Sequence, residues 1–255
     1  MEPQLNNKTY KKVLSDKNLL EYLFNEVKQP KTILKNIGGL FQADNKLISI
    51  NQAIKLCESS NEIVIKPSLD SGGGKNVRVY NVEDLLGSGE SSFIELFKLY
   101  KKDFIIQERV NQNELMAALN PSSLNTFRVM SFINNDRVNI LSSIIRMGRK
   151  GAFTDNSSSG GISCGVNYDG TLTAMGFTSN GKPYYETDSG LEFKEVKLPF
   201  MDKVKESVTL LHQKVPYFRL VSWDLAIDDN ANVIRLKLMY GAKILISING
   251  TMGRS

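Results

Sequence analysis

The apolar runs of this chain come in strand lengths, and several meet in pairs across short turn signals instead of alternating with helices. TFRVMSFI (126–133) and RVNILSSIIRMG (137–148) are split only by Asn-Asn-Asp, a turn signal. RLVSWDLAID (219–228) and VIRLKLMY (233–240) are joined through Asp229-Asn230, which reads as a hairpin. Parallel strands need a crossover of a dozen or more residues between them. Direct pairing of this kind argues for an α+β chain and against a Rossmann sheet.

The rest of the chain fits that class. Residues 15–27 read as a helix capped by Ser15 or Asp16, and residues 47–59 as a second helix capped by Ser49. EIVIKP (62–67) is a short strand ended by proline, SLDSGGGKN (68–76) a glycine-rich loop, and VRVY (77–80) a strand. EDLL and FIELFKLYKK read as helical, and DFIIQERV (103–110) as a strand. A further turn falls at Asp169-Gly170, and residues 200–215 form a helix. The expected organisation is an N-terminal helical segment (1–59), a small α+β lobe (60–110) and a larger lobe (111–255).

Composition narrows the function classes. Two cysteines, Cys57 and Cys164, are too few and too far apart for a disulfide framework or a zinc cluster. The single histidine, His212, excludes any mechanism needing two. It sits beside the apolar stripe Phe200, Val204, Val208, Leu211 and Val215, which points to a surface or structural role instead of catalysis. The formal charge of +5 suits an anionic ligand. The basic residues are spread along the chain without an aromatic-basic reading motif, so nucleic acid ranks below phosphate-bearing small molecules. No run of eighteen apolar residues calls for a membrane span, and the polar N-terminus lacks the apolar core of a signal peptide, so the expected location is cytoplasmic.

Two features carry candidate chemistry. Lys66 ends a strand just before Ser71, Gly72, Gly73 and Gly74. Glycines let backbone N–H groups approach phosphate oxygens, and a nearby lysine adds a fixed charge. The loop matches neither the Walker pattern nor G-x-G-x-x-G. In the second half, alternation along VSWDLAI puts Ser222, Asp224 and Ala226 on one face and Val221, Trp223, Leu225 and Ile227 on the other, so Asp224 is expected at an open site among small residues. Arg128 shares a strand face with Met130 and Phe132, Arg146 ends the next strand, and Asp155 and Asn156 follow in a loop. Each charged residue alone fits an ordinary surface salt bridge; together, arginines and carboxylates on one sheet suit a metal–triphosphate site.

The order SDK, KPSLDSGGGKNV, IIQERVNQNE, NPSSLNTFRV, IIRMGRKGAFTDNSSSGGISCGV and VSWDLAID resembles the ATP-grasp subfamily associated with sugar transfer and surface-polysaccharide gene clusters, from about residue 9 onward. The resemblance implies two α+β lobes with a nucleotide cleft between them, and a short or absent domain ahead of that core. It implies ATP and magnesium (Mg2+) as cofactors and a small carboxylate or sugar-linked substrate. Lys17 and Lys66 then match the lysines contacting nucleotide phosphates, and residues 71–75 the loop closing over them. Gln107, Glu108 and Val110 fall in the linker that binds adenine, with Gln107 replacing a usual glutamate. Glu114 matches the ribose contact. Arg128 and Arg146 line the phosphate and substrate end, Asp155 and Asn156 face the same cleft, and Asp224 matches the first magnesium ligand. The implied chemistry is attack of a carboxylate on the γ-phosphate of ATP, giving an acylphosphate that an amine then displaces.

One strand departs from the pattern. Where the family expects glutamate and asparagine, this chain has Lys237 and Met239. A charged lysine has no lone pair for magnesium, and a thioether is too soft for it. Regular alternation puts Arg235, Lys237 and Met239 on one face and Ile234, Leu236 and Leu238 on the buried one. Lys237 could pair with Asp224, touch the phosphates, or point to solvent. Three activities stay open: an ATP-dependent ligase with Asp224 and Asp155 on the metal, a module that binds nucleotide or a partner without turnover, and a kinase-like phosphotransferase acting on a sugar hydroxyl.

Overall fold

A computed structural model describes residues 6–10, 14–69, 76–87, 91–152, 155 and 160–240. The chain divides into two compact units. One comprises Lys11–Leu23 and Pro30–Val110, the other Met1–Tyr10, Phe24–Gln29 and Asn111–Ser255. Each is built on one antiparallel sheet, as expected of an α+β chain.

The smaller unit begins with α1 (Lys17–Leu23) and continues through β1 (Thr32–Ile37), β2 (Leu40–Ala43) and β3 (Lys46–Ile48). Then come α2 (Ile50–Glu58), β4 (Glu62–Pro67), β5 (Arg78–Asn81), α3 (Val82–Gly87), α4 (Ser91–Tyr100) and β6 (Phe104–Glu108). The sheet order is β3-β2-β1-β6-β4-β5. Its apolar face, with Leu34, Ile63, Ile65, Phe104 and Ile106, packs against Ala53, Ile54, Cys57, Val82, Phe93 and Phe97 of the helices. Helix α2 starts where Ser49 caps it, in a reciprocal capping box with Gln52.

Two sequence expectations change here. The helix read over 15–27 ends at Leu23, with Asp16 Oδ1 accepting from the Asn18 N–H at 2.9 Å, and Phe24–Gln29 belongs to the other unit. Residues 32–48, read without strands, form three. Two-residue turns at Gly38-Gly39 and Asp44-Asn45, all four at positive φ, connect them.

The larger unit carries α5 (Glu114–Leu119), β7 (Thr126–Asn134), β8 (Arg137–Met147), β9 (Ile162–Val166), β10 (Leu172–Phe177), β11 (Pro183–Tyr184), α6 (Met201–Gln213), β12 (Leu220–Ile227) and β13 (Val233–Tyr240). The strand order is β11-β10-β9-β8-β7-β12-β13. One face of β7 and β12, with Phe127, Val129, Trp223 and Leu225, is fully buried. His212 of α6 is tied into that layer: Ser131 Oγ lies 2.7 Å from its Nδ1, and the Phe218 carbonyl lies 2.8 Å from its Nε2. A carbonyl only accepts, so Nε2 carries the proton and Nδ1 accepts from Ser131. Ser131 in turn accepts from Trp223 Nε1 at 2.9 Å. Of the two roles its place on the helix left open, the buried ring fits the structural one and not the surface one.

Regular alternation along β13 does not hold. Lys237 pairs with Asp224, but the next partner of Leu225 is Arg235, so Leu236 is an extra residue in a β-bulge. Cross-strand partners share a face. Lys237 and Met239 therefore lie with Asp224 and Ser222, while Arg235 lies with Leu225 on the Trp223 side. Its guanidinium sits 5.0 Å from the Phe24 ring centre, and Phe24 meets Trp223 edge-on at 5.5 Å.

Candidate functional site

The opposite face of the β8-β7-β12-β13 region gathers charge. Arg128 on β7 stands directly across from Asp224 on β12, and Thr126 directly across from Arg146 on β8. Arg128 grips Asp224 through two parallel bonds, Nε to Oδ1 at 2.7 Å and Nη2 to Oδ2 at 2.8 Å. Arg146 Nη1 reaches the same Oδ2 at 3.2 Å, while its Nη2 donates to Asp155 Oδ1 at 2.9 Å. Thr126 Oγ1 donates to the other oxygen of Asp155. Arg146 is 4% exposed and Asp224 7%, so the network is shielded from water. Asp224 was expected at an open position among small residues. Instead Ser222 and Ala226 are buried with it, and both its oxygens are occupied by guanidinium groups.

The two carboxylates are driven in opposite directions. Burial alone would raise Asp224, but the Arg128 charge and its bonds, then Arg146 and Lys237, outweigh it and hold the group below the ordinary range. Burial raises Asp155 above that range despite Arg146 and Thr126. Asp224 is thus a fixed anion, and Asp155 is easier to protonate.

These donors do not fit magnesium. The ion takes oxygen ligands in a near-octahedral shell and favours carboxylates. Among the described residues no three His, Cys, Asp or Glu side chains come together as a metal group. Lys237 brings an ammonium to the face of Asp224, and Met239 on the same face offers only sulfur.

The other residues singled out from the sequence divide between the units. Lys17 and Lys66 belong to the smaller one. The Lys17 Nζ donates to the carbonyls of Pro67 at 2.8 Å and Ser68 at 3.4 Å, immediately after Lys66 on β4. Gln107 is buried, its amide donating to the Pro30 carbonyl and to Thr32 Oγ1, both at 3.2 Å. Glu108 pairs with Lys31 at 2.7 Å, and Val110 is half-buried at the end of this unit. Glu114 belongs to the larger unit, exposed in the first turn of α5. Ser71, Gly72, Gly73, Gly74 and Asn156 lie outside the described residues.

Two residues not singled out earlier join these groups. Thr126 is the hydroxyl donor to Asp155, and its cross-strand position to Arg146 was the available signal. Lys35 is a buried lysine paired with Glu21, its Nζ also 3.1 Å from the Tyr22 hydroxyl, beside a polar pocket of about 250 Å³. Nothing in its local pattern announces a buried charge.

Comparison with solved structures shows the same fold in ATP-grasp enzymes. An L-amino acid ligase from Bacillus licheniformis aligns over 95% of this chain and 44% of its own, with TM-score 0.54 and 11% identity. The VanG D-Ala:D-Ser ligase from Enterococcus faecalis aligns over 92% and 55%, with TM-score 0.57 and 10% identity. An N5-carboxyaminoimidazole synthetase from Staphylococcus aureus, solved with ADP, aligns over 92% and 46%, with TM-score 0.53 and 11% identity. The chain thus spans about half the length of these relatives. No curated protein matches it in sequence. A family model described as sugar-transfer associated ATP-grasp matches residues 1–248, and the chain belongs to that family.

Proposed function

We propose that this chain binds ATP and acts as an ATP-dependent carboxylate–amine ligase through an acylphosphate, in the cytoplasm, on a substrate of surface-polysaccharide modification. The observation that carries the reading is the convergence of Arg128 and Arg146 on one buried sheet face beside Lys237. In the proposed reaction a carboxylate oxygen attacks the γ-phosphorus, the bond to the bridging oxygen breaks, and ADP leaves. The amine then attacks the acyl carbon and phosphate departs. Cations fixed in a water-poor site stabilise the charge that spreads over the transferring group. Lys17, Lys66 and residues 71–75 are proposed on the phosphates, residues 107–110 on adenine and Glu114 on ribose. Family membership and the ligases among the solved relatives support the reaction class.

A second reading is favoured by the occupancy of Asp224. With both oxygens held by arginines, the chain would bind nucleotide without turning it over. One experiment separates the two. The protein is incubated with ATP, a set of amino and uronic acids and a set of amines, and products are followed by mass spectrometry. ADP together with a new amide supports the ligase. Bound ATP that stays intact supports the second reading. A phosphorylated sugar without an amide means kinase-like transfer, and absence of ATP binding rejects the nucleotide reading altogether.

A further inference from the structure

The smaller unit holds a polar pocket of about 250 Å³, lined by α1, β1, β2 and the turn after β2. None of the residues proposed on ATP lines it. Its floor is a closed set of charges. Lys35 is 4% exposed, and its ammonium spends its three N–H groups on Glu21, on the Tyr22 hydroxyl at 3.1 Å and on the Asn18 carbonyl at 3.3 Å. The second Glu21 oxygen accepts from Thr32 Oγ1 at 2.9 Å. A well-packed apolar pair is often as stable as a buried ion pair, so what this pair adds is a rigid polar wall. The rim is open. Among the described residues, the Gln42 amide and the Asp44 carboxylate have no hydrogen-bond partner. Asn45 accepts from the Tyr22 hydroxyl through its oxygen, which leaves its amide NH2 to donate.

The lining decides the class of ligand. Its one ammonium is already spent on Glu21, so the Asp44 carboxylate is the charge left facing the pocket, and the nearby Lys31 is held by Glu108 at 2.7 Å. That balance disfavours an anion and favours an amine. A metal ion is not indicated, since among the described residues no three His, Cys, Asp or Glu side chains come together. Two amides and a carboxylate along one rim offer donors and acceptors side by side, the complement of neighbouring hydroxyl groups on a sugar ring. Size agrees: a cavity of about 150 Å³ admits benzene, so this one has room for a six-membered ring with its substituents. We propose that the pocket binds a monosaccharide unit bearing a free amine, with the ammonium on Asp44 and the hydroxyls on Gln42 and Asn45. The inference is independent of the nucleotide proposal.

The test is ligand-observed NMR titration of the full chain, without nucleotide, with glucosamine, glucose and glucuronic acid. Glucosamine is expected to saturate with a Kd of roughly 1 mM, glucose about fivefold weaker and glucuronic acid weakest. Asp44 lies in a turn at φ 47°, a conformation asparagine also adopts, so Asp44→Asn changes the charge and spares the backbone. It should bring glucosamine down to the affinity of glucose, and Gln42→Ala should weaken both by about threefold or more. Thermal unfolding checks that each variant is folded. The methyl glycoside of glucosamine separates two sources of the same chemistry: binding equal to the free sugar supports a terminal residue of a longer glycan, and binding lost with the glycoside supports a free sugar. No saturation by any of the sugars below about 50 mM overturns the proposal. So does glucosamine binding that both folded variants leave unchanged, and so does glucuronic acid binding as tightly as glucosamine. With ATP absent from the experiment, none of these failures touches the nucleotide reading.

Discussion

Replacing Asp224 by asparagine separates an ion network from a metal ligand. The side chain keeps its shape and loses its charge. Asp224 accepts three charged hydrogen bonds, at 2.7, 2.8 and 3.2 Å. The amide of asparagine keeps one acceptor oxygen and turns a donor toward a guanidinium. Arg128 and Arg146, with side chains 15% and 5% exposed, then lose the anion that holds both of them, while Arg146 keeps its bond to Asp155. Removing one partner of a buried ion pair costs about 3–5 kcal/mol. The partial exposure of Arg128 places the expected loss near the lower end, about 3 kcal/mol, or a fall of roughly 6–12 °C in Tm for a chain of this size. Urea unfolding followed by Trp223 fluorescence reads it directly, because that fully buried ring is the adjacent residue on β12. The loss should shrink in acid. Asp224 has a depressed folded-state pKa, so its contribution is present above the unfolded value near 3.9 and disappears as pH falls through the folded one. A variant that unfolds like wild type and loses ATP binding in magnesium would refute this reasoning and make Asp224 a metal ligand.

Other expectations rest on separate features. Burial holds His212 below its ordinary pKa, outweighing its bond to the Phe218 carbonyl. Stability tied to the neutral ring is therefore complete above the unfolded value near 6.5 and is lost as pH falls through the folded one, and His212→Gln should flatten the dependence of the urea midpoint on pH below about 6.5. Gly170 has φ +90°, and a Cβ there would lie 2.1 Å from the Leu198 carbonyl oxygen, so Gly170→Ala should cost about 2–4 kcal/mol by thermal unfolding. Burial pushes the Cys57 thiol up to about 12 and Cys164 up to about 11, so iodoacetamide at about pH 8 should label both at least about a hundredfold faster in urea than in the native protein. Ser49→Ala removes the capping box of α2 and should lower stability by about 1 kcal/mol, read by chemical denaturation.

The parts of the fold legible from sequence are those where burial follows the local period. β4 and β6 are apolar runs bounded by proline or charge, and the β12–β13 hairpin carries Asp229-Asn230 in its turn. β1 escaped because burial there does not follow polarity: Lys35 and Asn36 are 4% and 2% exposed in the middle of the strand, which erases the alternation. The remaining signal was in the turns, Gly-Gly and Asp-Asn at two-residue hairpin spacing. The first helix was read too long for a different reason. Phe24 and Val27 do continue an apolar pattern, and both are buried, but they serve the core of the larger unit after the helix has ended. A periodicity argument registers burial and does not identify the core that receives it.

At the candidate site the same limit takes a sharper form. VIRLKLMY contains no glycine or proline to mark a bulge, so strict alternation is the natural reading, and it assigns Arg235 and Lys237 to one face. The structure separates them because Arg235 has partners on the other side, the Phe24 ring and the Gln29 amide, and a single extra residue, Leu236, turns it there. Lys237 keeps the face that alternation assigned, since the register from Lys237 to Tyr240 against Asp224 to Val221 is regular. Had the bulge fallen one pair later, between Lys237 and Met239, the ammonium would have turned toward Trp223 and left Asp224 balanced by its arginines alone. The charge of the site is therefore set by where the strand bulges as much as by which residues the strand carries.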